Sequence, residues 1–165
     1  MINTIEHNGN IYPAFQANGN AARFCMPFAM EVCTGTGFDI GYCKEEWKLP
    51  HAIGIEPAID NRFDAMNLPD IKVNFVMSSH VLEHIPNWSG ALNYWMTFLK
   101  KGGTLFLYLP DFSQTYWNSW NNKKHIHNFE PHILRRFLID SGNFKNIFVS
   151  GVDAYNSFIC MAEKI

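Results

Sequence analysis

Val73-Asn74-Phe75-Val76-Met77-Ser78-Ser79-His80-Val81-Leu82-Glu83-His84-Ile85-Pro86 joins a nearly continuous apolar run to an abrupt polar stop. Val73 to Ser79 has the length and apolar continuity of a strand buried on both faces. Beyond Pro86 the pattern changes period. Between Asn87 and Leu99, residues Trp88, Ala91, Leu92, Trp95, Phe98 and Leu99 recur at helical spacing. Lys100 and Lys101 suit the negative end of that helix dipole, and Gly102-Gly103 read as its stop. Thr104 to Leu109 is then a further strand, ended by Pro110. A strand, a helix and a strand in this order predict a parallel pair with a crossover.

The flanks repeat the alternation. Upstream, Ala21 to Val32 predicts a helix kinked at Pro27. Gly37-Phe38-Asp39-Ile40-Gly41 reads as a short strand entering a glycine turn. Lys44 to Leu49 has room for about one helical turn before Pro50, and Ala52-Ile53-Gly54-Ile55-Glu56 is a strand tipped by a carboxylate. Downstream, Asp111 to Phe129 is a long aromatic, Asn-rich connection. Pro131 to Ser141 predicts a helix stopped by Gly142. Phe144 to Ser150 and Tyr155 to Glu163 are late strands whose short link makes them antiparallel. Gly9 to Gly19 looks loop-like, so residues 1–20 are expected as an arm on a single domain spanning 1–165. The whole predicts an α/β chain with a mostly parallel sheet. Such sheets bind ligands at the carboxyl ends of their strands, which puts Asp39 to Gly41, Glu56, Ser78 to His80 and Pro110-Asp111 on one rim.

Composition narrows the function classes. Of the 165 residues 47% are hydrophobic, including 14 Phe and 5 Trp, which is ample for a packed core. Charged residues are 17% and the formal net charge is -2, which argues against general nucleic-acid binding. Cys25, Cys33, Cys43 and Cys160 form no CxxC pair and read as reduced, mostly apolar side chains. No basic start with an apolar run marks a signal peptide and no stretch has the length of a membrane span, so a cytoplasmic, non-membrane protein is expected.

Taken together, the rim motifs carry a resemblance. Ser78-Ser79-His80-Val81-Leu82-Glu83-His84-Ile85-Pro86, a helix, and then Leu-Lys-Lys-Gly-Gly-Thr-Leu-Phe-Leu from Leu99 closely resemble class I S-adenosylmethionine-dependent methyltransferases. The likeness is to the broad subfamily with an LEH segment after its fourth strand. Phe38-Asp39-Ile40-Gly41 resembles that family's first motif, Gly54-Ile55-Glu56 its ribose-binding acid, and Asp64-Ala65 its adenine-side loop. The resemblance implies a Rossmann-like sheet of about six strands, with the C-terminal pair antiparallel. It implies S-adenosyl-L-methionine as cofactor, contacted by Asp39, Gly41, Tyr42, Glu56, Asp64, Ala65, Ser79 and His80. Two departures stand out. Tyr42 and Cys43 occupy positions that are usually small, and Pro57 to Phe63 is too short for the helix and strand that usually separate the ribose acid from the adenine loop.

The implied reaction is methyl transfer to an oxygen or nitrogen of a small-molecule or saccharide acceptor. The alternative is a non-catalytic binding protein of the same fold. His80 and His127 are the candidate bases, since a histidine can take an acceptor proton near neutral pH. Phe112, Tyr116, Trp117, Trp120, His125 and Phe129 make the connecting loop a candidate acceptor surface, and a homodimer is left open. His80-Val81-Leu82-Glu83-His84 also has the H-x-x-E-H spacing of inverted zinc peptidases. The strand end before it, Pro86 after it and the want of a downstream third ligand count against that. His80, Glu83 and His84 also resemble the positions that hold a divalent ion in some ubiquinone-pathway O-methyltransferases, but His80 stands where an acid is usual; the alternative is that Glu83 and His84 cap and orient the loop, and no metal ligand is assigned.

Overall fold

The computed structural model describes residues 2–165. Thr4–His7 (β1) and Asn10–Pro13 (β2) pair antiparallel, so the segment expected as loop is in part a hairpin. Asn8 and Gly9 turn it with φ of +50° and +74°. A two-residue turn matching the twist of its strands needs positive φ at both positions, and Asn-Gly is the pair that most readily supplies it. A 3-10 turn at Ala14–Ala17 leads to helix α1, Ala22–Val32, which runs through Pro27. Strand β3 (Gly37–Ile40), a 3-10 turn at Glu45–Trp47 and strand β4 (Ala52–Ile55) follow. Residues 57–72 contain no helix and no named strand.

Strand β5 (Val73–Ser79), a 3-10 turn at Leu82–His84, helix α2 (Trp88–Phe98) and strand β6 (Leu99–Pro110) form the expected crossover unit. Helix α3 (Pro131–Ser141) and strands β7 (Phe144–Val149) and β8 (Ser157–Lys164) end the chain. Six strands make one sheet in the order β4-β3-β5-β6-β8-β7. The first four are parallel, and β8 runs antiparallel to both β6 and β7. This is the Rossmann-like sheet the sequence predicts.

The near-continuous apolar run of β5 follows from its central place, with β3 on one side and β6 on the other. Its alternate residues feed two cores. Val76 joins Phe38, Ile40, Trp95, Leu107 and Leu134 on the face of α2 and α3. Phe75 and Met77 join Cys25, Ala29, Phe106 and Tyr108 beneath α1. Asn87 caps α2 by accepting the Gly90 N–H at 3.0 Å. The helix stops earlier than its lysines suggest. Leu99 turns extended (ψ 131°) and pairs with Val73, so Lys100 to Gly103 belong to β6, across a register shift, rather than to the helix end.

All four cysteines are free, with Cys25, Cys33 and Cys160 buried and Cys43 exposed. Among the described residues no helix is long and apolar enough to cross a membrane.

Candidate functional site

The site lies where β3, β4 and β5 end. Gly41 leaves β3 with φ +80°, and its N–H donates to the Ile55 carbonyl at 2.8 Å, tying the turn to β4. A Cβ there would stand 2.2 Å from Val81 Cγ2. Conformation and space both demand glycine. Tyr42 is buried against β4, close enough that a Cβ on Gly54 would strike its ring at 2.3 Å. Glu56 follows β4 and accepts the Ala58 N–H at 3.1 Å.

The short 57–72 segment is held without the usual helix and strand. Asp64 and Asn67 exchange backbone hydrogen bonds at 3.1 Å, and Asp64 Oδ1 accepts the Met66 N–H at 2.7 Å. Helix α2 supplies the other anchors: Trp95 Nε1–H donates to the Ala65 carbonyl at 2.6 Å, and the Tyr94 hydroxyl accepts the Leu68 N–H at 2.9 Å.

These elements enclose a cavity of about 510 Å³ whose wall includes Gly41, Glu56, Asp64, Ala65 and His80. Five of the eight expected cofactor residues therefore share one space. The other three, Asp39, Tyr42 and Ser79, line an adjoining space of about 50 Å³ together with Gly41 and His80, under the 19–22 segment. A third space of about 20 Å³ lies between His80, Gln16, Trp117 and Tyr155. His80 borders all three. A larger groove of about 620 Å³ on the outer face of α1 holds none of the expected residues.

Charge at the rim is set by burial. Asp39 Oδ2 accepts the Leu49 N–H at 2.7 Å. Burial pushes its carboxyl up to about 6, against the pull of that hydrogen bond and of Lys48. The Ser79 hydroxyl is buried with no partner. His80 takes φ +54°, and its Nε2 lies 3.1 Å from Ser157 Oγ. Burial, with His125 and His84 nearby, pulls its imidazole well below the usual range. Glu83 is fully buried and neither carboxylate oxygen has a hydrogen bond. Burial pushes this carboxyl up.

His127 is not brought to the cavity. Its Nε2 donates to the Ile85 and Pro86 carbonyls at 3.0 and 3.1 Å, so it braces the loop after the strand. The H-x-x-E-H segment forms a single 3-10 turn over Leu82–His84, with His80 outside it in a left-handed conformation. The i, i+4 helical face that a zinc peptidase needs is absent there. Trp117 stacks on His125 (4.9 Å, 16°), whereas Trp120 is 66% exposed and packs on Phe112. The convergence of His125 on Glu83 was missed from sequence. No motif or period links those two positions.

Residues 27–148 match the family described as "Methyltransferase domain". The chain belongs to this family. Among solved structures the methyltransferase is similar to a possible histamine N-methyltransferase from Thermotoga maritima, at 19% identity and TM-score 0.65, over 87% of this chain and 91% of that one. It is also similar to the N-methyltransferase NodS from Bradyrhizobium japonicum in complex with S-adenosyl-L-homocysteine, at 13% identity and TM-score 0.61, over 92% and 91% of the two chains. A SAM-dependent methyltransferase from Archaeoglobus fulgidus matches at 17% identity and TM-score 0.59, over 87% and 95%. No curated protein matches the methyltransferase by sequence. Family membership makes the chain an S-adenosylmethionine-dependent methyltransferase, as its rim motifs lead one to expect.

Proposed function

We propose that the methyltransferase acts on an oxygen or nitrogen of a small-molecule or saccharide acceptor, with its cofactor in the 510 Å³ cavity. The observation that carries this reading is the convergence of Gly41, Glu56, Asp64, Ala65 and His80 on that one space from separate elements. The residues present suit the cofactor. Glu56 is a carboxylate able to accept both hydroxyls of a ribose, and Asp64 and Ala65 offer a carboxylate and a backbone edge to the base. Asp39 and the unpartnered Ser79 hydroxyl supply polar partners for its amino-acid end.

When bound, S-adenosylmethionine supplies an electrophilic methyl group on a sulfonium. What remains for the chain is alignment and exclusion of water. His80 stands where the three spaces meet, and its lowered basicity suits it to orienting an acceptor by hydrogen bonding more than to storing a proton. The space beside it, about 20 Å³, has room for about one water, so an acceptor reaches His80 from that side only if the 14–21 segment or the 111–129 loop moves. The net charge of -2 favours a neutral or cationic acceptor over nucleic acid.

Calorimetric titration with S-adenosylmethionine and S-adenosylhomocysteine tests the cofactor site. The wild type should bind both. Glu56→Ala, losing hydrogen bonds from a charged acceptor worth about 1.5–3 kcal/mol each, should bind at least tenfold more weakly. Heat absent at millimolar ligand, or undiminished binding by Glu56→Ala, would sink the assignment.

A further inference from the structure

Glu83 presents two buried carboxylate oxygens without a single hydrogen bond. Three imidazoles surround one of them: His80 Nδ1 at 3.7 Å, His84 Nε2 at 3.8 Å and His125 Nε2 at 3.7 Å from Oε1. These separations exceed hydrogen-bond length. A buried carboxyl normally finds a donor, because leaving it unpaired costs more than a hydrogen bond gains. The spacing instead suits donors arranged about a common centre.

We propose that Glu83, His84 and His125 bind a divalent transition metal of the zinc type. One donor atom from each lies within 4.8 Å of the others. Tetrahedral zinc with bonds of about 2.0–2.2 Å sets its ligands about 3.4 Å apart, so the two Glu83 edges, 3.8 and 3.7 Å, need to close by a few tenths of an ångström and the His84–His125 edge by up to about 1.4 Å.

The outer contacts prepare these donors. His84 Nδ1 lies 2.7 Å from the Lys124 carbonyl, which can only accept, so Nδ1 carries the proton and Nε2 keeps its lone pair toward Glu83. His125 is fixed by its stack on Trp117 and lies edge-on to His84 at 4.7 Å, 82°. The Ile126 and His127 amides both donate to the Glu83 carbonyl, at 2.9 and 3.2 Å, which sets the loop's register on the strand end. His80 is committed to Ser157 through Nε2 and stands outside the ligand set. Two imidazoles and one carboxylate select zinc or a neighbouring first-row ion over magnesium or calcium, which take oxygen ligands. His84 is 40% exposed and gives the ion its way in. Bound there, the ion would cross-link the 111–129 loop to the rim after β5, where His84 also lines the 510 Å³ cavity.

The test uses the full chain after treatment with chelator, titrated with Zn²⁺ alone by calorimetry and equilibrium dialysis. One equivalent should bind at micromolar concentration or below, with a rise in Tm. Co²⁺ in its place should give the intense visible absorption of a four-coordinate site. His84→Ala and His125→Ala should each weaken binding by at least about tenfold, while His132→Ala, on the surface of α3, leaves it unchanged. His84→Ala removes a partly exposed side chain, and its far-ultraviolet circular dichroism establishes that it folds. No stoichiometric binding by the wild type, or equal binding by the His84 and His125 variants, overturns the proposal. S-adenosylhomocysteine titrations are read separately, so loss of the cofactor reading leaves this result intact, and the reverse.

Discussion

Replacing Asp39 by asparagine isolates the cost of a buried charge in strand β3. The carboxyl is 3% exposed, and its one hydrogen bond is from the Leu49 amide. Asparagine is nearly isosteric and keeps an oxygen for that amide. The wild-type carboxyl rises from 3.8 to about 6 on folding. Between those values the native state holds a proton that the unfolded chain has released, so wild-type stability falls as pH rises through this window. The full interval converts to roughly 3 kcal/mol. Well below 3.8 both states are protonated, and at pH 4 the difference has grown to only about 0.5 kcal/mol, so there Asp39→Asn should match the wild type closely. Above pH 6 it should be more stable by about 1–3 kcal/mol. Urea denaturation of both proteins from pH 4 to 8 reads the difference directly, and taking wild type against variant cancels the other titrating groups. A difference that stays constant across that range, or one that favours the wild type at pH 8, would refute the reasoning.

Two further substitutions address the frame of the site. Gly41→Ala places a Cβ on Val81 at φ +80°, and strain and overpacking together should cost roughly 2–4 kcal/mol in chemical denaturation. Adding Val81→Ala should recover the packing share but not the backbone share, and a neutral Gly41→Ala would contradict this. Trp95→Phe removes the N–H that holds the Ala65 carbonyl. It should cost about 1 kcal/mol or more of stability and weaken S-adenosylhomocysteine binding several-fold by calorimetry, whereas unchanged affinity would show that the 57–72 loop holds its shape without α2.

The crossover unit was legible because β5 is central. Burial on both faces writes itself as a continuous apolar run, and the change of period at Asn87 marks the helix. The shortness of the path from Glu56 to Asp64 likewise follows from counting residues, and the structure has neither helix nor strand there. The hairpin of β1 and β2 was within reach and overlooked: its strands are four residues each with only Tyr12 buried, so hydrophobic alternation is faint, yet Asn8-Gly9 is a strong hairpin signal. The span of β6 was misjudged for another reason. Lys100 and Lys101 suit a helix end by charge, and only the pairing of Leu99 with Val73 overrides it. His127 and His125 are close in sequence and chemically alike, but the backbone sends one to the carbonyls after the 3-10 turn and the other onto Glu83. No one-dimensional pattern distinguishes them.

Strand β4 is one margin of the sheet, paired with β3 over four residues on one side and, among the described residues, with no strand on the other. Its next residue is Glu56. The acid proposed to hold the cofactor thus hangs from the strand least secured by neighbours, where opening to solvent is expected soonest. Amide protons of residues 52–55 should exchange well before those of the central strand. A ligand that grips Glu56 and the Gly41 turn together would act as a clasp on that border, slowing exchange in proportion to its occupancy. In this chain, filling the pocket and finishing the edge of the sheet become one equilibrium.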